Sequence, residues 1–358
     1  MKIVIDKYIP YIQGAFDAVA DVTYVAYNEF TPQQVKDADA LIVRTRTKCN
    51  KQLLEGSKVK FIASATIGYD HIDGKFCDEN NIKWTNAPGC NALSVAQYIA
   101  SALCYLSHKN NFSLGDKTIG IVGVGAVGSK IEKLAKSFGM KVLLNDPPRA
   151  RREGNIDFVR LKDICEQADI ITFHPLLNME SDDKTFHLAN ELFFNSLKKK
   201  PIIINASRGE IIDSKALITA LKQNLVSDLV LDCWENEPNI DPFLLEQCAI
   251  ATPHIAGYSA DGKANAATQS VRSVSRYFQL GLDKWKPKDI PSIPCVSAIN
   301  NCDFLLQTYN IEADSKSLKN SPNTFEQQRS FYPFRREPKA YLKCLPDGFS
   351  KKFHLFFD

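Results

Sequence analysis

The residues of this chain best suited to chemistry fall in three short segments of its second half. In Thr252-Pro-His254-Ile-Ala-Gly257-Tyr258 a histidine follows a short apolar run. An imidazole exchanges a proton near neutral pH, and a neighbouring carboxylate raises its proton affinity and orients the ring. Two carboxylates compete for that place in Asp232-Cys-Trp-Glu235-Asn-Glu237-Pro. His71, His174 and His187 compete with His254 and are read as structural. Which glutamate meets which histidine stays open on the residues alone. Arg208 follows Ile202-Ile-Ile-Asn-Ala206-Ser. Its planar fork of donors can hold a carboxylate in two parallel hydrogen bonds. The plainer alternative is a surface ion pair with Glu210 or Asp213.

A second set of residues fits a dinucleotide. Gly123-Val-Gly125-Ala126-Val127-Gly128 follows the apolar run Thr118–Val122 and opens a segment of helical period. In that setting Gly123 permits a tight turn, Gly125 lets backbone approach a pyrophosphate, and Gly128 allows close helix–strand packing. The unpaired N–H groups of the helix start then face the phosphates. Asp146 ends the next apolar run, 18 residues past Gly128. A carboxylate there accepts from ribose hydroxyls and repels a 2′-phosphate, which favours NAD over NADP. Arg149, Arg151 and Arg152 follow closely and temper that preference. Asp232, at another strand end, is a candidate for the nicotinamide carboxamide, with a cap as its ordinary alternative. In the first half, Arg44-Thr45-Arg46 and Thr66-Ile-Gly68 fall past strand ends, where hydroxyls and guanidinium groups suit a phosphate or carboxylate.

These segments need strands to hold them. Apolar runs predict strands over 2–6, 22–25, 40–43, 61–65 and 83–85, then 118–122, 141–144, 169–173, 201–205, 229–232 and 250–252. Several are unbroken rather than alternating, which implies burial on both faces of parallel sheets flanked by helices. Strand–helix alternation twice over gives an α/β fold of two units, with a long helix over 91–107 joining them. Pro287, Pro291 and Pro294 mark 284–294 as a linker. The tail from about 290 is small and aromatic-rich, and is expected to dock on the body or on a second subunit.

Bulk properties narrow the function. Among 358 residues, 44% are hydrophobic and 24% charged, with a net charge of +3 from 44 basic and 41 acidic groups. That balance gives no reason to invoke nucleic acid or membrane. Ten cysteines are scattered singly, with no CxxC pair. Neither a zinc site nor a disulfide framework is expected, and free thiols suit a reducing cytoplasm. No apolar run approaches the roughly 20 residues that span a bilayer.

Taken in order, GVGAVG, the strand-end Asp146, NASRGEIID, LDCWENEP and TPHIAGY resemble the D-isomer-specific 2-hydroxyacid dehydrogenases over roughly residues 1–280. The resemblance implies NAD as cofactor, Arg208 on the substrate carboxylate, and Glu237 paired with His254 as acid–base. It argues against Glu235. It implies cofactor contacts at Gly123, Gly125, Ala126, Val127, Gly128, Asp146, Pro175, Ala206, Asp232 and Gly257. Pro175 and Leu176 depart from the family's usual threonine-proline order. ATIGYDHID, NAPGCNA, NDPPR and HIAGYSADGKA are similar to a branch that oxidises a phosphorylated hydroxyacid in pyridoxal 5′-phosphate synthesis, with substrate contacts at Thr45, Thr66 and Tyr258. FEQQRSFYPFRREPKAY resembles that branch's C-terminal dimerisation segment, and the likeness stops short of 345–358.

The implied architecture is two Rossmann-like or flavodoxin-like parallel-sheet domains plus a small C-terminal dimerisation segment. Residues 1–92 and 258–285 would bind substrate, 93–257 would bind NAD, and 286–358 would form a homodimer. Arg44 and Arg46, or Arg335 and Arg336 in a dimer, are candidates for the substrate phosphate. Two rivals stay open: a dehydrogenase for phosphoglycerate or glycerate, and a non-catalytic NAD-binding protein of the corepressor kind.

Overall fold

The computed structural model describes residues 1–154, 157–180, 182–293 and 295–344. The chain divides into two compact units, Met1–Asn91 with Ser259–Ser292, and Ala92–Tyr258 with Ile293–Asp358. The stretch 345–358 lies outside the described residues.

The first unit is built on five parallel strands, β1 (Lys2–Asp6), β2 (Asp21–Val25), β3 (Ala40–Val43), β4 (Phe61–Ser64) and β5 (Lys83–Thr85), in the order β2-β1-β3-β4-β5. Every residue of β3 and β4 is buried, which is why their sequences are unbroken rather than alternating. One sheet face packs Ile3, Ile5 and Ile42 against Ala266, Val271 and Val274 of the helix Ala260–Phe278, which returns from late in the chain. Val4, Leu41 and Ile62 face Val35, Leu53 and Cys77 on the other side.

The second unit holds six parallel strands, β6 (Thr118–Val122), β7 (Lys141–Asn145), β8 (Ile170–Phe173), β9 (Ile202–Asn205), β10 (Asp228–Leu231) and β11 (Cys248–Ala251). Their order is β11-β10-β9-β8-β6-β7, and a single bridge from Leu144 to Phe158 extends it past β7. The order reverses between β6 and β8, so a crevice opens outside the carboxyl ends of those two strands. Helix α1 (Ala92–Lys109) is apolar around most of its circumference because it is covered on both sides. Helices α2 (Ala126–Ser137), α3 (Pro147–Glu153) and α4 (Ser214–Lys222) follow β6, β7 and β9.

The tail is built into the second unit through α5 (Asn301–Thr308), α6 (Ile311–Asn320) and α7 (Phe325–Ser330). Phe304, Leu305 and Ile311 share a core with Ile99 and Leu103 of α1, while Leu318 and Phe325 join the core around β10. Each fully buried phenylalanine contributes about 2–3 kcal/mol.

The thiols depart from expectation. Cys104 of α1 and Cys302 of α5 form a disulfide with their Cα atoms 5.2 Å apart. The two lie 198 residues apart in sequence, so spacing carried no sign of the pair. Cys49, Cys77, Cys90, Cys165, Cys233 and Cys248 are free and buried. Among the described residues, no helix is long and apolar enough to cross a membrane.

Candidate active site

The dinucleotide fingerprint sits where the strand order reverses. Gly123 adopts φ 86°, and a Cβ there would run into the His174–Pro175 backbone leaving β8. A Cβ on Gly128 would collide with the Gly123 carbonyl. A Cβ on Gly125 would meet nothing within 4 Å. Internal packing therefore explains the first two glycines, and Gly125 faces space open to a ligand. Ala126 and Val127 open α2, whose first N–H groups lack helical partners. A cleft of about 440 Å³ is lined here by Val124, Gly125, Ala126, Asp146, Arg149 and Arg152. An open glycine turn, a helix start and a strand-end carboxylate fit a dinucleotide.

Asp146 does more than the sequence suggested. Its Oδ2 accepts from Val124 N at 2.8 Å, and its Oδ1 caps α3 by accepting from Arg149 N at 2.9 Å. The carboxylate thus ties the glycine turn to α3. The three arginines nearby are each met by an acid: Arg149 and Arg152 by Glu153, at 2.7 and 2.8 Å, and Arg151 by Asp183.

Asp232, just past β10, is engaged by groups of its own unit. Its Oδ1 accepts from Thr252 Oγ1 at 2.7 Å and Ile255 N at 2.8 Å, and its Oδ2 from Ala256 N at 2.9 Å. It is 1% exposed. Burial raises its carboxyl above the usual range, against the opposing pull of His254, Thr252, Ala256 and Ile255. Through these bonds Asp232 organises the loop that carries His254. That histidine sits at φ 56°, a conformation rare outside glycine, and its N–H donates to Asp232 O at 2.8 Å.

Held this way, His254 places Nδ1 2.6 Å from Glu237 Oε1. Glu237 Oε2 accepts from Trp234 N at 3.3 Å. Burial pushes the Glu237 carboxyl up, but the hydrogen bond and charge of His254, with Arg329, outweigh it and leave the group below its ordinary value. Glu235, two residues earlier, points elsewhere. It takes His187 Nε2 at 2.6 Å and Ser214 N at 3.1 Å, tying its loop to the start of α4. The competition left open by sequence thus resolves into two separate pairs. His174 places Nε2 2.7 Å from Thr172 Oγ1, and burial pushes it down to about 3.

Arg208 comes to this place through Asn205 and Gly209. Asn205 Oδ1 accepts from Ser207 N, and its Nδ2 donates to Arg208 O at 2.8 Å, which shapes the turn. Gly209 packs against the Trp234–Glu235 backbone, where a Cβ would collide. The Arg208 guanidinium is part-buried and donates to Ser207 O at 2.8 Å. Glu210 and Asp213 do not pair with it; Asp213 caps α4 instead. Pro175 and Ala206 follow β8 and β9, and Gly257 and Tyr258 close the His254 loop. The Tyr258 ring lies 6.3 Å from both Tyr332 and Phe334 of the tail.

Thr45 and Thr66 belong to the first unit. Thr45 is exposed after β3. Thr66 Oγ1 donates to Gly68 O at 3.0 Å and lies 2.7 Å from Ser64 Oγ. Arg44 is paired with the buried Asp6 at 2.9 Å, and Arg46 lies over the Tyr27 ring at 5.2 Å. Arg335 is already committed within the second unit. It donates to Gln97 Oε1, to Ser94 O and to the carbonyls of Ile255, Ala256 and Tyr258, and it stacks on Tyr309 at 4.1 Å. The idea that it reaches a phosphate in a dimer is therefore corrected. Arg336 lends its carbonyl to Gln97 Nε2 at 3.1 Å.

Comparison with known proteins agrees with this geometry. The family described as D-isomer specific 2-hydroxyacid dehydrogenase, NAD binding domain, matches residues 101–256. The erythronate-4-phosphate dehydrogenase of Bacteroides thetaiotaomicron is 53% identical over 342 residues, 95% of this chain and 98% of that protein. The chain belongs to the erythronate-4-phosphate dehydrogenase family. The Proteus mirabilis member of this erythronate-4-phosphate dehydrogenase family is 40% identical over 94% of this chain and 93% of its own length. Among solved structures, D-lactate dehydrogenase from Aquifex aeolicus with NAD and lactic acid has a TM-score of 0.64 at 26% identity, covering 79% of this chain and 97% of that one. The NAD+-bound 3-phosphoglycerate dehydrogenase of Entamoeba histolytica has a TM-score of 0.65 at 26% identity, covering 81% and 99%. Like its erythronate-4-phosphate dehydrogenase relatives, the chain is an NAD-dependent dehydrogenase carrying an NAD-binding domain.

One residue at the site escaped sequence reasoning. Arg329, in α7, places Nη1 3.4 Å from the Glu237 oxygen that meets His254. It lies 92 residues further along the chain, inside FEQQRSFYPFRREPKAY, a segment read for dimerisation rather than for the site. The aromatic character of the tail was the available signal, and it pointed to docking rather than to the site.

Proposed function

We propose that this protein oxidises the C2 hydroxyl of 4-phospho-D-erythronate to the 2-oxo acid, 3-hydroxy-2-oxo-4-phosphobutanoate, as a step toward pyridoxal 5′-phosphate. The observation that carries the reading is the 2.6 Å approach of His254 Nδ1 to Glu237 Oε1, in the same unit as an Arg208 guanidinium without a carboxylate partner among the described residues. The full-length likeness to erythronate-4-phosphate dehydrogenases names the substrate.

Bound NAD supplies the acceptor for the C2 hydride. Gly123, Gly125 and Gly128, with the first residues of α2 and Asp146, would hold it. Arg208 clamps the C1 carboxylate in two parallel bonds, which fixes C2 in position. With Nδ1 committed to Glu237, His254 Nε2 takes the hydroxyl proton, and Glu237 stabilises the imidazolium that forms. Thr45, Thr66 and Tyr258 contact the substrate. Arg44 or Arg46 meets its phosphate, so alanine at both should raise KM for the phosphorylated acid. The first unit serves the substrate and the second the cofactor. A cytoplasmic homodimer belongs to the same proposal, and sedimentation of the full chain tests the dimer.

The deciding assay follows NAD reduction with 4-phospho-D-erythronate beside 3-phosphoglycerate and glycerate, with a 2-oxo acid present to recycle cofactor. Selective turnover of the erythronate ester supports the proposal. Preference for another acid keeps the mechanism and overturns the substrate. Tight NAD binding without turnover of any acid overturns the enzymatic reading.

A further inference from the structure

We propose that Arg329 is a positioning residue of the dehydrogenase: its guanidinium shares one oxygen of Glu237 with His254 and so sets how strongly His254 holds its proton. This rests on the proposed role of His254 as the base.

The geometry is that of a three-member chain. Glu237 Oε1 lies 2.6 Å from His254 Nδ1 and 3.4 Å from Arg329 Nη1. Arg329 is itself held 3.3 Å from Glu326 Oε1 and faces Tyr258. The side chains of all three members are only 21–25% exposed, so solvent screens them weakly. Other charged or titratable groups facing the chain are Asp232, which acts on His254, and Cys233, which adjoins Glu237 and lies within the field of Arg208.

A carboxylate alone against an imidazole has a drawback for a base. Opposite charges about 4 Å apart attract by roughly 4 kcal/mol at a protein-like dielectric, near three pH units of proton affinity. An imidazole held that tightly in its charged form is already protonated near neutrality and cannot accept a proton, whereas general-base catalysis is most effective if the pKa matches the working pH. A guanidinium on the same oxygen withdraws part of that stabilisation and fixes the carboxylate rotamer. Glu237 can then orient the ring while holding its proton less tightly. Because Arg329 comes from α7, the tail helices become part of the proton-transfer machinery as well as of the core.

The test uses the full chain labelled at histidine Cε1. His254 is titrated by NMR without cofactor, its signal assigned through His254→Asn, and kcat/KM for 4-phospho-D-erythronate is measured across pH. In Arg329→Gln, both the NMR pKa and the acid limb of kcat/KM should move up by about one unit. The lost rate should return at high pH, and Arg329→Lys should restore more than half the shift. Glu326→Gln removes the acid that competes for Arg329 and should move His254 down. It serves as the second variant if Arg329→Gln does not fold. An unchanged His254 titration in Arg329→Gln, with kcat/KM depressed equally at every pH, overturns the proposal and leaves Arg329 a structural tie. So does an unmoved titration in Glu326→Gln. If the wild type does not turn over the erythronate ester, the substrate proposal fails separately, and the NMR titration still decides the role of Arg329.

Discussion

Gly209 lies so close to the carbonyl of Trp234 that no side chain fits between them. This single approach brings two loops together, one carrying Arg208 and the other Glu237. Gly209→Ala forces the loops apart and moves Arg208 off its position. Misplacement on the order of 1 Å costs about 100-fold in rate. Steady-state kinetics should therefore show kcat/KM down by about that factor, with the NAD dissociation constant changed far less. Wild-type kcat/KM would mean that the loops adapt without moving the arginine.

Arg335 ties the His254 loop to α1 through the carbonyls of Ile255, Ala256 and Tyr258 on one side and Ser94 and Gln97 on the other. Replacing it with methionine keeps much of the volume and strands those acceptors. Unsatisfied buried acceptors cost about 1–3 kcal/mol each before relaxation. Arg335→Met should lower thermal stability by several degrees and reduce activity, while Arg336→Met should do less. Equal stability of the Arg335 variant and the wild type in calorimetry would show that the loop holds without its clamp.

His71 makes the first unit acid-sensitive. Its ring is buried, with Nε2 3.0 Å from Ser64 Oγ, and burial pushes it down to about 4. A group whose folded pKa is depressed stabilises the fold above its unfolded value, about 6.5, and loses that contribution as pH falls toward the folded one. Between pH 7 and pH 5 the loss should approach about 2 kcal/mol. Hydrogen exchange of the β4 amides at the two pH values measures it. His71→Gln should flatten the dependence by a similar amount, and an equally steep variant would assign the acid sensitivity elsewhere.

Asp146 joins the glycine turn to α3, so its loss should affect cofactor binding in two ways. Asp146→Asn keeps one acceptor oxygen but sets an amide N–H against a backbone donor, Val124 N or Arg149 N. It also removes the charge that excludes a 2′-phosphate. NAD affinity should fall about tenfold, the size of one lost charge-assisted hydrogen bond, and the preference for NAD over NADP should narrow. Calorimetric titration with both cofactors reads this directly; an unaltered ratio would mean that Arg149 and Arg152, each paired with Glu153, set the choice instead.

Much of this protein was legible in its sequence, for a physical reason. Strands buried on both faces must be continuously apolar, so β3, β4, β8 and β9 were visible as unbroken runs. Glycines forced by close backbone approach, such as Gly123 and Gly128, appear at fixed offsets from a strand end. The segments holding Arg208, Glu237 and His254 stood out because each follows such a strand. What sequence could not decide was direction and partnership. Glu235 and Glu237 are equivalent by type and nearly so by position, yet loop packing sends one to His187 and the other to His254. The bonds from Asp232 to the His254 loop were likewise not visible in the local sequence. The Cys104–Cys302 bond and the place of Arg329 at Glu237 depend on how α5, α6 and α7 pack in the second unit. Periodicity and local motifs report burial and backbone need along the chain. Contacts between side chains scores of residues apart are set by the packing of the elements that carry them, and only the tertiary structure decides those.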